Sequence, residues 1–464
     1  MKLLHDTKAR EQLLYGINTV ANAVKCTLGP HGRNVIIDTP DGVIVTNDGV
    51  TIAKKVSLDN PFANMGVKLL REVADKTQQV AGDGTTTATV LAQAMLTRGM
   101  QLVAQGCNPI ELRNEMQAAV AQVTAYIDAC TVPAHNLEQV ARVSVNDRTL
   151  GTLISDAVQQ AGTGIVTVKK GNTTAIHTMQ GVRINRGNEI AQDAVYENAS
   201  VLVSDHRLTL QEIVPLIKYS AEHGPMIIVT TCITDEALSA VTVNMLRGHV
   251  RMAVIKAPGF GDHQKDLLGD YACVMQAKVF TDHATLHPDM LGRVESAKIT
   301  RDETVLIGCA GDSTKRMQGV TDNDRIKILS QKAVVITLHA PTDSELDELT
   351  MRVDDAVHAV KSAAVHGVVP GGGLTLYNAR EHVTSQHAGA SIVRDALSKP
   401  IMQIIENCGG TVPSNLGGDI GYTNGTAKHI MNAGIMDPAQ VVKCALQHAA
   451  SITGLVLTTS VIIK

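Results

Sequence analysis

Val80-Ala81-Gly82-Asp83-Gly84-Thr85-Thr86-Thr87-Ala88-Thr89-Val90 is the stretch on which the reading of the chain turns. Gly82 and Gly84 supply the backbone freedom of a tight turn. Asp83 stands between them with no bulky neighbour to block its carboxylate. The threonines and Ala88-Thr89-Val90-Leu91-Ala92-Gln93-Ala94 then begin a helix. A glycine turn feeding a helix N-terminus favours an anion, because its free N–H groups and the helix dipole point the same way. The hydroxyls of Thr85, Thr86 and Thr87 add donors, and a carboxylate in the turn suits Mg²⁺ bridging to phosphate oxygens. The same residues also describe a capped helix start with no ligand, and the stretch alone leaves both readings open.

Composition narrows the classes. At 464 residues the chain exceeds one ordinary core, so two or three domains are expected. Aromatic residues make up 2%, with no Trp, so the cores must be aliphatic, and this composition argues against base stacking on aromatic platforms. A net charge of −4 argues against a nucleic-acid partner held by phosphate neutralisation. The eight cysteines form no C-x-x-C pair, which points to reduced thiols in a cytoplasmic compartment and not to a disulfide framework or zinc site. No apolar run reaches spanning length and the N-terminus lacks a signal-peptide core, so no membrane partner is expected.

Working outward, helical spacing covers residues 6–25, 64–80, 85–105 and 109–130, and a hairpin is expected across 34–46 around Pro40-Asp41-Gly42. From residue 164 the texture changes. Strands at 164–168, 199–203, 226–230 and 252–255, with helices at 210–223 and 236–246, predict a parallel α/β module. A long helix over 344–365 carries Asp354 and Asp355 and runs into Val368-Val369-Pro370-Gly371-Gly372-Gly373. The remainder is helical, with a last strand over 456–463. Helical ends around an α/β middle predict a discontinuous outer domain with another inserted into it.

Four glycine-containing features could build one nucleotide site: Thr27-Leu28-Gly29-Pro30, Asp48-Gly49, the loop from Gly82 to Thr87, and Gly371-Gly372-Gly373. Asp355 and Asp437 add candidate carboxylates, although Asp355 also reads as a solvated helix residue and Asp437-Pro438 as a helix cap. There is no G-x-x-x-x-G-K-[ST], so a P-loop is not supported. The helices of the middle module carry Leu210, Ile213, Val214 and Ile217, and Leu238, Val241, Thr242, Val243 and Leu246, which serve either as core packing or as an exposed apolar groove.

Val45-Thr46-Asn47-Asp48-Gly49-Val50-Thr51-Ile52-Ala53, Asn64-Met65-Gly66 and Ala81 to Leu91 closely resemble the group I, GroEL-type chaperonins. So do Lys256-Ala257-Pro258-Gly259-Phe260-Gly261-Asp262, Arg352-Val353-Asp354-Asp355-Ala356 and Val368 to Gly373, all in collinear order. The resemblance implies a multidomain α+β and α/β protein. It has a mainly helical equatorial ATP-binding domain (1–129 and 367–464), a small intermediate domain (130–179 and 334–366) and an inserted α/β apical domain (180–333). It implies an ATPase whose rings, of seven subunits in the family, bind unfolded polypeptides and promote folding through ATP-driven domain movements. By position, Asp83 is implied as the Mg²⁺ ligand, with Gly84, Thr85, Thr86 and Thr87 around the phosphates and Thr27, Leu28, Gly29 and Pro30 lining the pocket. Asp48 and Asp355 are implied to position and activate water, and Gly372 and Asp437 to contact the nucleoside. Val214, Ile217, Leu238 and Val243 match the polypeptide-binding groove.

Departures from the pattern shape the remaining expectations. Asn47 replaces a lysine whose backbone belongs to the family's K⁺ site, and Thr423 replaces an asparagine in a remodelled loop, 421–425. Asn188, Gln192 and Asp193 replace aromatic groove contacts, and Thr242 a valine. The segment between Ala310 and Ala333 is too short for the family's long apical helix, and Gln331-Lys332 stand at a glycine hinge whose partner, Gly181, is kept. The chain also reaches Gly417 early, losing contacts between back-to-back rings, so a single or weakened double ring is expected. A co-chaperonin partner is compatible with this reading. The alternative is a ring that holds polypeptides, or acts as a scaffold, with little productive turnover.

Overall fold

The computed structural model describes residues 3–39, 42–162, 164–190, 192–282, 287–423 and 425–464. Pro40 and Asp41 of the expected hairpin turn, and Asn424 of the remodelled loop, lie outside the described residues. The chain divides into two compact units. One comprises Met1–Val158, Lys170–Thr174 and Leu338–Lys464; the other comprises Gln159–Lys169 and Ala175–Thr337.

The first unit is built on helices Asp6–Val24, Pro61–Ala81, Thr85–Ala104, Pro109–Cys130, Ala388–Ala396 and Ala439–Leu457. Their apolar faces merge into one aliphatic core in which Ile17, Leu70, Leu91, Met95 and Met116 are buried. With almost no aromatic residues to fill space, the helices must approach closely. A Cβ on Gly66 would lie 2.1 Å from the Leu13 carbonyl oxygen, and one on Gly16 would lie 1.9 Å from that of Ala63. The Asn64-Met65-Gly66 motif is therefore a helix-crossing point. The hairpin Val35–Thr39 with Gly42–Thr46 and the pair Leu3–His5 with Val461–Ile463 are separate two-stranded sheets. The last strand is shorter than predicted, because Val456 and Leu457 are buried in the final helix turn. The long helix Asp343–His366, opened by Thr342 as N-cap, belongs to this unit. Its exit strand Val368–Pro370 pairs antiparallel with Met436–Pro438, setting Val369 opposite Asp437.

The second unit holds a nine-stranded sheet that is mixed, not parallel throughout. Strands Ala194–Leu208, Met226–Ile233 and Met252–Lys256 run parallel, as the alternation with helices predicts. Ala175–Ile184, Gly292–Ile299, Thr304–Ile307 and Lys332–Leu338 pair antiparallel. The parallel strands are buried on both faces. Met226, Ile228, Met252 and Val254 pack under helices Leu210–His223 and Asp235–Leu246, while Ile227, Val229, Ala253 and Ile255 pack under Gly261–Val274. That alternation makes the strands read as continuous apolar runs.

Two short helices, Thr314–Met317 and Asn323–Ser330, occupy the shortened segment. They are pinned to Gly261–Val274 by charge. Asp270, with 0% exposure, accepts from Arg316 Nε, from Arg325 Nε at 2.7 Å and from Arg325 Nη2 at 3.1 Å, and Asp266 takes Arg325 Nη1 at 3.1 Å. A buried carboxylate with two guanidinium partners is costly to break from one side. Asp270→Ala, which removes the carboxylate that both arginines share, is expected to destabilise this unit by about 1–3 kcal/mol, read as a lower urea midpoint for its unfolding; an unchanged midpoint would show the cluster to be ornamental.

Candidate functional site: a carboxylate-lined cleft at a helix N-terminus

The loop from Gly82 to Thr87 joins two helices by left-handed residues. Gly82 (φ 69°) closes Pro61–Ala81, and Gly84 (φ 85°) opens Thr85–Ala104. A side chain at Gly84 would also strike Val441, since a Cβ there would lie 2.5 Å from its Cγ1. The neighbouring helices Gly49–Lys55, Pro61–Ala81 and Pro109–Cys130 start with Asp48, Asn60 and Asn108, whose side chains cap first-turn N–H groups. Thr85–Ala104 starts with glycine and has no side-chain cap. An uncapped start presents its first-turn donors to whatever occupies the space in front of it.

That space is a cleft of about 900 Å³. Thr27, Leu28, Gly29, Pro30, Asp48, Asp83, Gly84, Thr85, Thr86, Thr87, Asp355, Gly372 and Asp437 all line it, so the fold brings every predicted nucleotide-site residue together. Thr27 and Thr86 hydroxyls stand 3.4 Å apart. The Gly371–Gly373 turn reaches the cleft through the strand pair that carries Asp437, whose carboxylate accepts from the Gly372 and Gly373 N–H groups. Val214, Ile217, Leu238 and Val243 lie elsewhere, on the second unit's helices Leu210–His223 and Asp235–Leu246. Val214 and Val243 are exposed, whereas Ile217 and Leu238 are half-buried against that unit's core.

Asp48 has a role that the sequence reading did not assign. Its Oδ1 accepts from Val50 N at 3.1 Å, and its Oδ2 accepts from Thr51 N at 2.8 Å and from Thr51 Oγ1 at 2.6 Å. It is a helix N-cap that also projects its charge into the cleft. Two other residues were missed. Asn407 Nδ2 donates to the carbonyls of Lys25 (3.0 Å) and Leu28 (2.8 Å), shaping the loop that carries Thr27 to Pro30. Gln78 Nε2 donates to Asp355 Oδ1 at 3.0 Å. Both contacts join residues more than 250 positions apart, and nothing in their local sequence signals them.

The carboxylates perturb one another. Burial pushes Asp83 up to about 6, and the Asp48 charge adds to this against the Gly84 N–H, which pulls it down. Burial likewise raises Asp437 to about 7, with the Asp83 charge adding and the two glycine N–H groups opposing. Asp355 is held well above the carboxylate range by burial and then by the charges of Asp83 and Asp48, with the Gln78 amide opposing. Crowded hard-oxygen donors of one sign fit a divalent cation, which would relieve both the desolvation and the repulsion. Among the described residues no three His, Cys, Asp or Glu side chains form a ready-made metal cage. The arrangement therefore suits Mg²⁺ held by a carboxylate such as Asp83 together with ligand oxygens, the mode Mg²⁺ adopts on nucleotides.

A carboxyl whose folded-state pKa is raised stabilises the fold below its unfolded pKa and loses that contribution as pH rises through the folded value. For Asp437 the loss spans about pH 4 to 7. Asp437→Asn is thus expected to raise the melting midpoint of the ligand-free protein by roughly 2–4 °C at pH 8, with about half of that gain left at pH 5.5. Thermal melts at the two pH values check this; an equal shift at both would contradict it.

Comparison with known proteins follows the same outline. The family model of the TCP-1/cpn60 chaperonin family matches residues 20–222 and 215–464. The chain is 36% identical over 516 residues to the chaperonin GroEL of Methanospirillum hungatei, covering 100% of this chain and 96% of that one. It is also 36% identical over 517 residues to the chaperonin GroEL of Methanoregula boonei, with the same coverage. Its fold is similar to the crystal structure of the chaperonin gp146 from bacteriophage EL 2 (Pseudomonas aeruginosa), with a TM-score of 0.67 and 19% identity over 100% of this chain and 99% of that one. With matches that run from end to end, the chain belongs to the TCP-1/cpn60 chaperonin family, as a divergent group I-like chaperonin.

Proposed function

We propose that the protein is an ATP-hydrolysing ring subunit that binds non-native polypeptides and promotes their folding through ATP-driven domain movements. The observation that carries this is the uncapped N-terminus of Thr85–Ala104 facing four carboxylates, Asp48, Asp83, Asp355 and Asp437, in one cleft. In this reading the phosphates of ATP lie against the first-turn N–H groups and the hydroxyls of Thr85, Thr86 and Thr87, with Thr27 to Pro30 walling the other side. Asp437 and Gly372 face the nucleoside. Asp355 accepts the proton of the attacking water, and Asp48 helps to orient that water. Mg²⁺ held by Asp83 would supply charge neutralisation on the phosphate oxygens. A K⁺ ion is proposed nearby, where the Asn47 backbone remains although the family's lysine side chain does not.

The three-domain division, equatorial 1–129 and 367–464, intermediate 130–179 and 334–366, and apical 180–333, is part of the proposal. So are cytoplasmic residence and a homo-oligomeric ring of seven. Two features support assembly. The sheet of Leu3–His5 with Val461–Ile463 and the hairpin of Val35–Thr39 with Gly42–Thr46 each have two strands, and Leu3, Ile36, Val43, Val461 and Ile463 are exposed on them. Exposed apolar edge strands are templates for pairing with another chain. The shortened segment before Gly417 supports a single or weakened double ring. Exposed Leu210, Val214, Val243 and Leu246 support polypeptide binding on the second unit, and a co-chaperonin would fit the same surface.

A second reading, a ring that holds polypeptide without productive turnover, draws on Gln331. Its Oε1 accepts from Arg183 N at 2.9 Å, tying down a strand where the family's hinge has glycine. Phosphate release separates the two. The wild-type protein is expected to hydrolyse ATP, and Asp355→Ala to bind it while turning it over roughly 10²-fold more slowly or worse. Hydrolysis by Asp355→Ala at the wild-type rate would overturn its assigned role, and no hydrolysis by the wild type, with or without unfolded protein, would favour the holding ring.

A further inference from the structure

Asp355 is placed among like charges. Burial and the charges of Asp83, Asp48 and Asp354 all act against ionisation of its carboxyl. Something must hold a carboxylate that its neighbours repel. The structure supplies a donor from a different helix, Pro61–Ala81: the amide of Gln78, 3.0 Å from Asp355 Oδ1. Gln78 sits in the last turn of Pro61–Ala81, and its own carbonyl accepts from Gly82 N at 2.9 Å, the bond that ends this helix and launches the Gly82-to-Thr87 loop. One residue therefore touches both halves of the site: through its backbone it shapes the loop that presents Asp83, and through its side chain it fixes Asp355.

We infer that Gln78 is the positioning residue for Asp355, holding that carboxylate aimed at the attacking water of the phosphoryl-transfer reaction. The inference rests on the reading of Asp355 given above. The chemistry of the side chain suits the task. A neutral amide orients a carboxylate through one oxygen and leaves the other, and the negative charge, available to accept a proton. A lysine or arginine would pair with the carboxylate and quench its basicity. An asparagine is one methylene shorter and would not span the same gap. Gln78 is half-buried and does not line the cleft, so it acts through Asp355 and not on the nucleotide.

The test is a double-mutant cycle on the full-length protein, with steady-state phosphate release and calorimetric ATP binding measured for each variant. Gln78→Met keeps the length of the side chain and removes the donor. It is expected to lower kcat roughly ten- to hundred-fold, the worth of a hydrogen bond to a charged group, while KM and ATP affinity stay within about twofold. Asp355→Asn is expected to be slow on its own, and Gln78→Met added to it is expected to cost nothing further, because Gln78 acts only through that carboxylate. Should Gln78→Met not fold, Gln78→Leu, which also removes the donor without adding a charge, carries the same expectations. A normal kcat for the Gln78 variant beside a slow Asp355→Asn would overturn the positioning role alone. A normal rate for Asp355→Asn would overturn the role of Asp355 and this inference with it. Equal losses for Gln78→Met in the presence and absence of the Asp355 carboxylate would mark Gln78 as merely structural, and would also overturn it.

Discussion

Burial of several carboxylates in one cleft, with their mutual repulsion added to it, is the constraint that shapes the site. Asp83 and Asp437 are raised to about 6 and about 7 by burial, and each titrates against a neighbouring aspartate. A fold that gathers such groups gives up stability when it is empty and regains it when a cation and an anion enter together. The compensation visible in the protein itself is local and modest: the Gly84 N–H on Asp83, the Gly372 and Gly373 N–H groups on Asp437, the Val50 and Thr51 donors on Asp48, and the Gln78 amide on Asp355. Each fixes a direction without cancelling a charge. Perturbed groups of this kind gather where chemistry is done.

The scaffold explains how so much charge is held in place. Helices of an aliphatic core cross at glycines, so that Gly16 and Gly66 let two helices approach backbone to backbone. That close packing fixes the ends of Pro61–Ala81 and Thr85–Ala104, and the turn between them is set by Gly82 and Gly84. The pairing of Val368–Pro370 with Met436–Pro438 brings the third glycine turn and Asp437 to the same place from residues 68 positions apart, Val369 to Asp437. In the second unit the problem is reversed. There the parallel strands are buried on both faces, and apolar side chains left over on Leu210–His223 and Asp235–Leu246 stay exposed.

Much of this was legible in the sequence because it is local or periodic. The glycine-bracketed loop, the amphipathic helices and the alternating strands at 199–203, 226–230 and 252–255 follow from spacing and turn chemistry. The collinear motifs then assigned the family, which the whole-chain matches bear out. What escaped was non-local. The antiparallel strands Ala175–Ile184 and Gly292–Ile299 pair with partners far along the chain, so the module read as parallel is mixed. Asp48 as a helix cap needed only the Asp-Gly-Val-Thr spacing, and was overlooked because a functional reading of the same residue was at hand. Gln78, Asn407 and the buried Asp270 with its two arginines depend on contacts that no window of sequence contains.

The central claim is that the Gly82-to-Thr87 loop holds the phosphates of a nucleotide with a cation at Asp83. The most direct measurement is a calorimetric titration of ATP into the purified protein with Mg²⁺ and with chelator, repeated with Asp83→Asn. The account predicts saturable binding at one nucleotide per chain that needs Mg²⁺ and is strongly weakened by Asp83→Asn. Absence of binding in Mg²⁺, or binding indifferent both to the metal and to Asp83, would contradict it.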